Sequence, residues 1–450
     1  MNLLHILVLL AGIGLLLLMV LRFKVQAFLA LLVAAIFMGL ATGMPMASVI
    51  KSITDGMAST LGFVATVVGI GAIFGQILES SGGAESLARS LIGKFGEDRA
   101  RFALAITGFI IAIPVFLDVG FIIIVPVIYA LARKTGKSLL CFAIPLLAGL
   151  AVTHAFIPPT PGPVAVAEIL GADMGWLILF GFIIGLPVTL IAGPFWGSYI
   201  GRKMFIKVPD TFEAETDAPP ARSFPSFGQV VAIIATPLAL IVANTVSGII
   251  AKAHGMEDEF VIQLLAFLGH PFTALLIATF LAIYFLGIRR GIDRDMIMRL
   301  STKALAPAGL IILVTGAGGV FKEVLVDSGI GVTLAESMAG SALPPLVLAY
   351  ILALIIRVTQ GSATVAMITA AGIVAPIIAD AGLSEPLKAI IVIAIASGAT
   401  TLSHVNDSGF WLVGKYLGMN EKQTLRSWTV METIISVTGF VFALILSRFF

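Results

Sequence analysis

The sequence predicts an all-α integral membrane protein made of two inverted-topology repeats. Three observations predict this class: an apolar composition, two matching passages far apart in the chain, and an uneven distribution of basic residues. Of the 450 residues, 59% are hydrophobic and only 12% are charged, and the mean hydropathy is +1.10. Apolar stretches long enough to cross roughly 30 Å of hydrocarbon recur from end to end. One membrane domain therefore accounts for nearly the whole chain.

The charge and cysteine counts exclude several classes of protein. A net charge of +2 is too small to indicate a nucleic-acid partner. The single cysteine, Cys141, excludes an internal disulfide framework and a cysteine-based metal cluster. We expect no cofactor and no bound metal. The first apolar run, residues 3–21, ends in Arg22 and Lys24 without a small-residue cleavage site, which favours a retained helix over a signal peptide.

An internal duplication is visible in two passages. Residues 71–93, "GAIFGQILESSGGAESLARSLIG", match residues 318–340, "GGVFKEVLVDSGIGVTLAESMAG", at an offset of 247 residues. The same offset, after a small gap, pairs His154 with His404.

The duplication divides the chain into two membrane repeats. We predict repeat 1 over residues 1–204 and repeat 2 over residues 228–450. Residues 205–227 form the one long polar, Pro-rich segment of the sequence, which is typical of a linker and is expected on the cytoplasmic side.

Each repeat is predicted to hold about five spanning helices, a re-entrant hairpin and an interrupted helix. Residues 102–132 would be about 46 Å long as one straight helix, too long for the bilayer and too short for two crossings. A hairpin that enters and leaves on one side fits, because non-helical backbone at that depth is tolerated where it is buried in protein or lines a wet cavity. The predicted hairpins lie at about 102–132 and 343–379, and the interrupted helices at about 139–172 and 387–418.

The basic residues predict the orientation in the membrane. With the N-terminus outside, five basic residues fall outside and Arg357 lies within the membrane, which leaves 21 of the 27 Lys and Arg residues on the cytoplasmic side. An odd number of crossings per repeat inverts repeat 2 relative to repeat 1, so the hairpins enter from opposite faces. If the hairpins cross fully instead, the orientation is unchanged. The five outside residues are Lys51, Lys252, Lys322, Lys388 and Arg448.

Four breaks in the apolar runs form two pairs related by the duplication. Inverted repeats bring such breaks together at the bilayer midplane, where half-helix N-termini offer free N–H groups to an anionic substrate. The breaks are "PVFLDVG" (114–120), "TQGSAT" (359–364), "THAFIPPTPGP" (153–163) and "SHVNDSGF" (403–410).

Two charged residues, Asp118 and Asp407, lie in these breaks, and Arg357 lies two residues before "TQGSAT". Asp118 and Asp407 are expected to be functional, since an acid within the membrane is costly unless it is paired or wet. Each is predicted to carry a coupling proton or to shape the site, with a purely structural pairing to Arg357 as the alternative. Arg357 is predicted either to anchor a substrate carboxylate with its bidentate fork or to act as a fixed counter-ion to Asp118 or Asp407.

Other polar residues of the breaks complete the predicted site. Hydroxyl and amide groups suit a polyhydroxylated ligand, although they could instead satisfy their own backbone. His154 and His404 are predicted either to carry a proton or to be neutral hydrogen-bonding struts. The substrate carboxylate is expected at the half-helices that begin after residues 161–163 and at Ser408. The predicted substrate-binding residues are Thr160, Pro161, Gly162, Arg357, Thr359, Gln360, Gly361, Ser362, Thr364, Asn406 and Ser408.

The chain resembles the gluconate permease family of bacterial sugar-acid:proton symporters. The resemblance implies an inner-membrane, proton-coupled importer of gluconate or a related aldonate, and a superfamily that includes elevator-type homodimers. Family members commonly carry His in "PPHPGP", where this chain has Thr160. The matching pieces are "RFKVQAFLALL" (22–32), "GGAESLA" (82–88), "FLDVGFIIIVP" (116–126), "THAFIPPTPGP" (153–163), "TGAGGVFKEVLVDSGI" (315–330), "GSATVAMITA" (361–370) and "SHVNDSGFW" (403–411).

We therefore expect a transporter, not an enzyme, whose partners are a small sugar acid, protons, the lipid bilayer and a second copy of the chain. Symport of another hydroxy acid, of fructuronate or of a D-serine-like substrate stays open. A channel or facilitator would require a continuous polar path. An intramembrane enzyme would require a nucleophile and base in a repeatable geometry, for which His154 and its hydroxyl neighbours are a weak signal.

Overall fold

The architecture was analysed in a computed structural model, which describes residues 3–209, 224–330, 333, 344–379 and 381–450. The elements within these ranges are all helices. The linker predicted at 205–227 is described only at its two ends. There, Leu139 N–H donates to the Ile206 carbonyl over 3.0 Å and Ser86 Oγ donates to the Pro225 carbonyl over 2.5 Å.

The first half of the chain contains three ordinary helices, one short amphipathic helix and two pairs of half-helices before its last span. We call Met46–Ser80 long helix 1, the next pair hairpin 1 and the following pair broken helix 1. The helices are Leu3–Leu21, Ala27–Ala41, Met46–Ser80, Gly83–Phe95, Ala100–Ile111 with Leu117–Thr135 (hairpin 1), Leu140–Phe156 with Pro161–Leu170 (broken helix 1), and Met174–Leu190, which continues through a π-helical turn to Trp196–Lys203.

The second half has the same order of long helix, hairpin, broken helix and final helix. We name its parts long helix 2, hairpin 2 and broken helix 2. The helices are Phe227–His254, Phe260–Gly269, Pro271–Ala282, Arg294–Asp327 (long helix 2), Pro345–Gln360 with Ala363–Ala379 (hairpin 2), Glu385–Ala399 with Ser408–Leu417 (broken helix 2), Glu421–Thr424 and Val430–Leu446.

Seven segments of the described chain are long and apolar enough to cross a membrane. Broken helix 1 differs from the others because 89% of its most apolar window is buried inside the protein, against 39–56% for the other six. Its broken backbone is therefore shielded from lipid, as unpaired backbone at membrane depth requires. The segments are Met46–Ser80, Leu140–Leu170, Met174–Lys203, Phe227–His254, Pro271–Arg290, Arg294–Asp327 and Glu421–Leu446.

Local chemistry explains the break in each hairpin. In hairpin 1, Pro114 has no N–H and cannot continue the helix that ends at Ile111, and the next helix begins at Leu117. In hairpin 2, Gly361 takes a positive φ of +87°, which ends the helix in the left-handed conformation that glycine tolerates.

The two ends of hairpin 1 lie next to each other. Glu97, just before its first helix, forms an ion pair with Lys134, near the end of its second helix. The chain therefore leaves hairpin 1 close to where it enters. This arrangement is compatible with a re-entrant hairpin, whose insertion into a membrane stays a prediction.

The broken helices end and restart at proline, glycine and aspartate. The second half-helix of each has ten residues, beginning at Pro161 or Ser408 and ending at a glycine of positive φ, Gly171 or Gly418. Asp407 caps the later one by accepting from Gly409 N–H over 3.0 Å. The first half-helix of broken helix 2 ends at Ala399, so His404 lies within the break and not before it.

Glycines allow close packing around the two long helices. A Cβ atom on Gly56 would lie 2.7 Å from the Gly319 carbonyl oxygen, and one on Gly319 would lie 2.6 Å from the Gly56 carbonyl oxygen. A Cβ on Gly75 would overlap the Pro114 carbonyl at the break of hairpin 1. These contacts require backbone-to-backbone approach, which only glycine permits. The Gly-rich segments therefore serve packing, as their sequence indicates.

Candidate functional site

One cavity of about 510 Å³ receives residues from all four helix breaks. Its volume lies within the range of small-molecule sites. Its wall combines backbone, charged and apolar groups in the pattern expected of a ligand site. The lining includes Phe116, Leu117 and Asp118 of hairpin 1; His154 and Gly162 of broken helix 1; Arg357, Gln360, Gly361, Ser362 and Thr364 of hairpin 2; Asn406, Asp407, Ser408 and Gly409 of broken helix 2; and Trp428 and Glu432 near the C-terminus.

Arg357 is held by an ion pair with Asp407. The Nη2–Oδ2 distance is 2.5 Å, and the side chains are only 3% and 14% exposed. Arg357 Nη1 also donates to the Gly361 carbonyl, while its buried Nε has no hydrogen-bond partner among the described residues. Of the two counter-ions that the sequence offered, the structure therefore pairs Arg357 with Asp407.

Further hydrogen bonds fix the Asp407 carboxylate. Its Oδ2 accepts from Ser403 Oγ as well as from Arg357, and its Oδ1 accepts from Gly409 N–H. Ser403 Oγ in turn accepts from Trp428 Nε1 over 2.7 Å. Both oxygens are thus occupied by donors, which fixes the position of the carboxylate inside the protein.

The break of broken helix 2 is joined to hairpin 2 through one carbonyl group. The Val358 carbonyl accepts from Asn406 Nδ2 over 3.0 Å and contacts His404 Nε2 at 3.0 Å. A Cβ on Gly361 would overlap the Asn406 carbonyl, so the two backbones touch here. His404 Nε2 is therefore placed to act as a hydrogen-bonding strut, one of its two predicted roles, and the proton-carrying role stays a prediction.

Three helix N-termini open at the cavity. Asp118 lies in the first turn of the helix that begins at Leu117, Ser362 precedes the helix that begins at Ala363, and Ser408 begins its own half-helix. The first N–H groups of a helix have no partner within the helix and carry a partial positive charge. The cavity is therefore suited to an anionic group.

Several polar groups in the cavity wall are left unpaired. Asp118 is exposed and makes no ion pair with the described residues. His154 Nδ1 and Gln360 Oε1 are buried and find no hydrogen-bond partner in the same part of the chain. Buried polar atoms of native proteins are usually satisfied, so these groups indicate a site built for a ligand or water.

Glu432 is a site residue that the sequence interpretation missed. It lies on the final helix, is 4% exposed, lines the cavity and interacts electrostatically with Arg357 and Asp407. Trp428, four residues earlier, lines the same cavity, as expected for neighbours on one helix face. The sequence contains a signal for Glu432, because an acidic residue within an apolar membrane span is usually functional. It was overlooked because the final helix has no break at this position.

Four predicted site residues, Thr359, Thr160, Pro161 and His404, lie outside the described wall of the main cavity. Thr359 bonds the Ile355 and Ile356 carbonyls of its own helix, each over 2.9 Å. Thr160 donates to the Ile157 carbonyl over 2.6 Å. Thr160 and Pro161 line a separate small cleft beside Pro114. Of their half-helix, Gly162 is the residue that lines the main cavity. His404 is engaged by the Val358 carbonyl, as described above.

No group of three His, Cys, Asp or Glu side chains within the described ranges is arranged to hold a metal ion. The charged groups of the cavity are one arginine and three carboxyl groups, with one histidine beside them. Such a set combines one cation suited to a small anion with several acidic side chains.

Comparison with known proteins decides the family. The family model described as GntP family permease matches residues 4–449. The chain belongs to the GntP permease family. The resemblance found in the sequence motifs is thereby confirmed.

This permease is similar over nearly its whole length to curated transporters. It is 42% identical over 431 residues to the low-affinity gluconate transporter of Escherichia coli strain K12, covering 96% of the permease and 95% of that protein. It is 40% identical over 439 residues to the gluconate permease of Pseudomonas aeruginosa, with the same coverages of 96% and 95%. These relatives are named as transporters or permeases, and the permease is accordingly a transport protein and not an enzyme.

Its fold is similar to that of the Alcanivorax borkumensis YdaH transporter. The TM-score is 0.66 at 14% identity, covering 94% of the permease and 98% of that chain. Together with the seven apolar segments, these similarities make the permease a multi-pass, all-helical membrane protein.

Proposed function

We propose that this permease is a proton-coupled symporter that imports gluconate or a closely related aldonate across the bacterial inner membrane. The observation that carries the proposal is the single cavity in which an arginine, three helix N-termini and unpaired polar side chains stand beside three carboxyl groups. The names of the similar transporters support gluconate as the substrate.

The substrate carboxylate is proposed to bind between Arg357 and the helix N-termini at Ser362 and Ser408. A guanidinium and free backbone N–H groups are the donors that a carboxylate prefers. Because two guanidinium N–H groups already bond Asp407 and Gly361, the pair orients Arg357 before a substrate arrives. A preoriented donor loses less conformational freedom on binding.

The hydroxyl groups of the sugar acid are proposed to meet the polar side chains of hairpin 2 and broken helix 2. Gln360, Ser362, Thr364 and Asn406 all line the cavity and offer both donors and acceptors. The unsatisfied Gln360 Oε1 supports this assignment, since a substrate hydroxyl would give it a partner.

Proton coupling follows from the charges that surround the proposed carboxylate site. If Asp118, Asp407 and Glu432 were all ionised, one arginine would leave a formal charge of about −2 in the cavity. An anion would be repelled at these distances in a medium of low dielectric constant. Protonating one acid removes part of that repulsion, so the proton and the anion favour each other's binding.

The predicted topology becomes part of the proposal. We propose inverted repeats, re-entrant hairpins that enter from opposite faces, a periplasmic N-terminus and a homodimer whose hairpins and broken helices move together as an elevator. The matching order of elements in the two halves and the Glu97–Lys134 ion pair at the ends of hairpin 1 support this arrangement. A Cβ on Gly162 would lie 3.0 Å from Met367 Sδ, so broken helix 1 packs against hairpin 2 across the two halves, which supports joint movement of these two elements.

Uptake into proteoliposomes tests the function. An imposed inward proton gradient is expected to drive gluconate accumulation, and a protonophore is expected to abolish it. If the gradient fails to accelerate accumulation, the symport proposal is wrong. Competition by other aldonates, fructuronate and D-serine ranks the substrates, and unitary currents in planar bilayers would instead establish a channel.

A further inference from the structure

We infer that Glu432 is the group that carries the coupling proton, and that Asp407 is the permanent counter-ion of Arg357. This inference rests on the proposed symport and assigns its proton to one side chain. It replaces the sequence-based choice of Asp118 and Asp407 as proton carriers.

Glu432 is a buried acid without charge compensation. Its side chain lies more than 4.0 Å from every basic group of the described residues, and its Oε1 is buried without a hydrogen-bond partner in those ranges. An ionised carboxylate with neither a cation nor enough donors is costly inside a protein, and more so within a membrane. In this state of the molecule Glu432 is therefore a neutral carboxylic acid.

Asp407 is unsuited to the same role. Three donors hold its two oxygens, and one of them is the Arg357 guanidinium. Protonating Asp407 would leave Arg357 as an unpaired buried cation, which carries a large free-energy penalty. Arg357 and Asp407 are therefore more stable as an ion pair than as a buried cation beside a neutral acid.

Asp118 is unsuited to carry the coupling proton because it is exposed, whereas Asp407 is enclosed by three donors. Its side chain is exposed at the mouth of the cavity and lies at a helix N-terminus, where a negative charge is favourable. Water and the helix end serve Asp118 as partners whether or not the substrate is present, whereas the enclosed Glu432 has no such partners.

The charged groups around Glu432 determine the conditions under which Glu432 holds a proton. Arg357 from hairpin 2 and Asp407 from broken helix 2 line the same cavity and interact electrostatically with Glu432, and their charges balance each other. Asp118 and His154 share the cavity wall. The neighbouring helix Met174–Leu190 carries no titratable side chain, and Glu385 and Lys388, at the start of broken helix 2, pair with each other.

These charges link the proton to the substrate. With Glu432 neutral, an incoming carboxylate adds to a balanced Arg357–Asp407 pair and can share the guanidinium. With Glu432 ionised, the same carboxylate would face an uncompensated negative charge nearby. Proton and anion therefore increase each other's affinity by the same factor, as linkage requires. Release of one on the cytoplasmic side then promotes release of the other.

The decisive measurement separates proton coupling from binding and exchange. Purified Glu432→Gln protein in proteoliposomes is expected to lose gradient-driven gluconate accumulation by about tenfold or more. It is expected to retain gluconate exchange without a gradient. In weakly buffered detergent solution, at a pH high enough for Glu432 to be ionised before gluconate is added, a pH indicator should report proton uptake by the wild type on gluconate addition and none by Glu432→Gln.

Two variants act as controls. Glu432→Asp keeps an acid in the cavity and should restore gluconate-linked proton uptake. Glu168→Gln removes an acid of broken helix 1 that is partly buried and lines a different cavity, and it should behave as the wild type. Gluconate-induced thermal stabilisation checks that each variant folds and binds.

The outcomes distinguish the inference from the proposed function. If the wild type shows no proton-driven accumulation, the proposed function fails. If the wild type accumulates gluconate and Glu432→Gln does so equally, or still takes up a proton with gluconate, Glu432 is not the carrier. Loss of gluconate stabilisation in Glu432→Gln would make Glu432 a binding residue and would also overturn the inference.

Discussion

Arg357 Nη2 and Asp407 Oδ2 lie 2.5 Å apart, and this ion pair joins hairpin 2 to broken helix 2 inside the main cavity. Arg357 lies in the last turn before the break of hairpin 2, Asp407 lies in the break of broken helix 2, and the two are 50 residues apart in sequence. The pair therefore fixes the position of two breaks relative to each other and orients the one arginine that faces the proposed substrate.

Removing the cation of this pair is expected to destabilise the protein. Arg357→Gln leaves Asp407 as an unpaired buried anion, at a cost of about 3–5 kcal/mol, whereas Arg357→Gln with Asp407→Asn removes both charges and should recover much of the stability. Neither variant should transport gluconate. Thermal unfolding in detergent and uptake into proteoliposomes measure the two effects.

The matched control for that prediction is an exposed ion pair. Lys388→Gln breaks the Lys388–Glu385 pair, whose side chains are 25% and 50% exposed, and should cost about 1 kcal/mol or less. Equal stability of Arg357→Gln and Lys388→Gln would contradict a structural role for the buried pair.

Gly361→Ala is expected to separate hairpin 2 from broken helix 2. The new Cβ would overlap the Asn406 carbonyl and would also force alanine into a positive φ of +87°. Gly382→Ala isolates the second effect, because Gly382 has a φ of +58° with no atom within 4 Å of an added Cβ. The backbone term alone is about 1–2 kcal/mol. We expect Gly382→Ala to retain gluconate transport and Gly361→Ala to lose it. Uptake rates are normalised to the amount of folded protein. Equal uptake by the two variants would show that transport does not need the close contact between Gly361 and the Asn406 carbonyl.

Neighbouring residues of hairpin 2 are expected to differ in their effect on gluconate affinity. Gln360→Ala removes an amide that lines the cavity, so the KM for gluconate should rise by about tenfold. Thr359→Ala removes a hydroxyl that bonds its own helix and should leave KM nearly unchanged. Initial uptake rates at varied gluconate concentration provide the comparison. A larger effect from Thr359 would place its hydroxyl in the site.

Asp118→Asn is expected to keep proton-driven accumulation and to lower the KM for gluconate. The substitution removes a negative charge from the cavity mouth, and a loss of about 0.5–1 kcal/mol of repulsion corresponds to a two- to fivefold change. Accumulation under a proton gradient and KM are measured on the same preparation. Loss of accumulation with intact exchange would return the coupling role to Asp118.

The breaks were predictable from sequence because their causes are local. Pro114 and the prolines of "IPPTPGP" cannot continue a helix, and Gly361 permits a backbone turn that other residues resist. The structure places a helix boundary at each predicted break. The duplication added the expectation that the four breaks belong together, and all four contribute to one cavity.

The contents of the cavity wall were less predictable because they depend on rotation about each helix axis. Thr359 and Gln360 are adjacent, yet successive residues of a helix point about 100° apart, and only Gln360 reaches the cavity. Glu432 lies in a continuous helix, so no irregularity in the sequence marked its position beside Arg357. Whether Glu432 lines the cavity depends on how the final helix packs against broken helix 2.

By itself, the sequence determined the membrane class, the four helix breaks and the family, because composition, proline and glycine act locally and motifs are read directly. The tertiary structure decided that Arg357 pairs with Asp407, that Thr359, Thr160, Pro161 and His404 lie outside the main cavity wall, and that Glu432 lies within it. Those outcomes are set by the rotation and packing of helices distant in sequence, and local chemistry does not fix them.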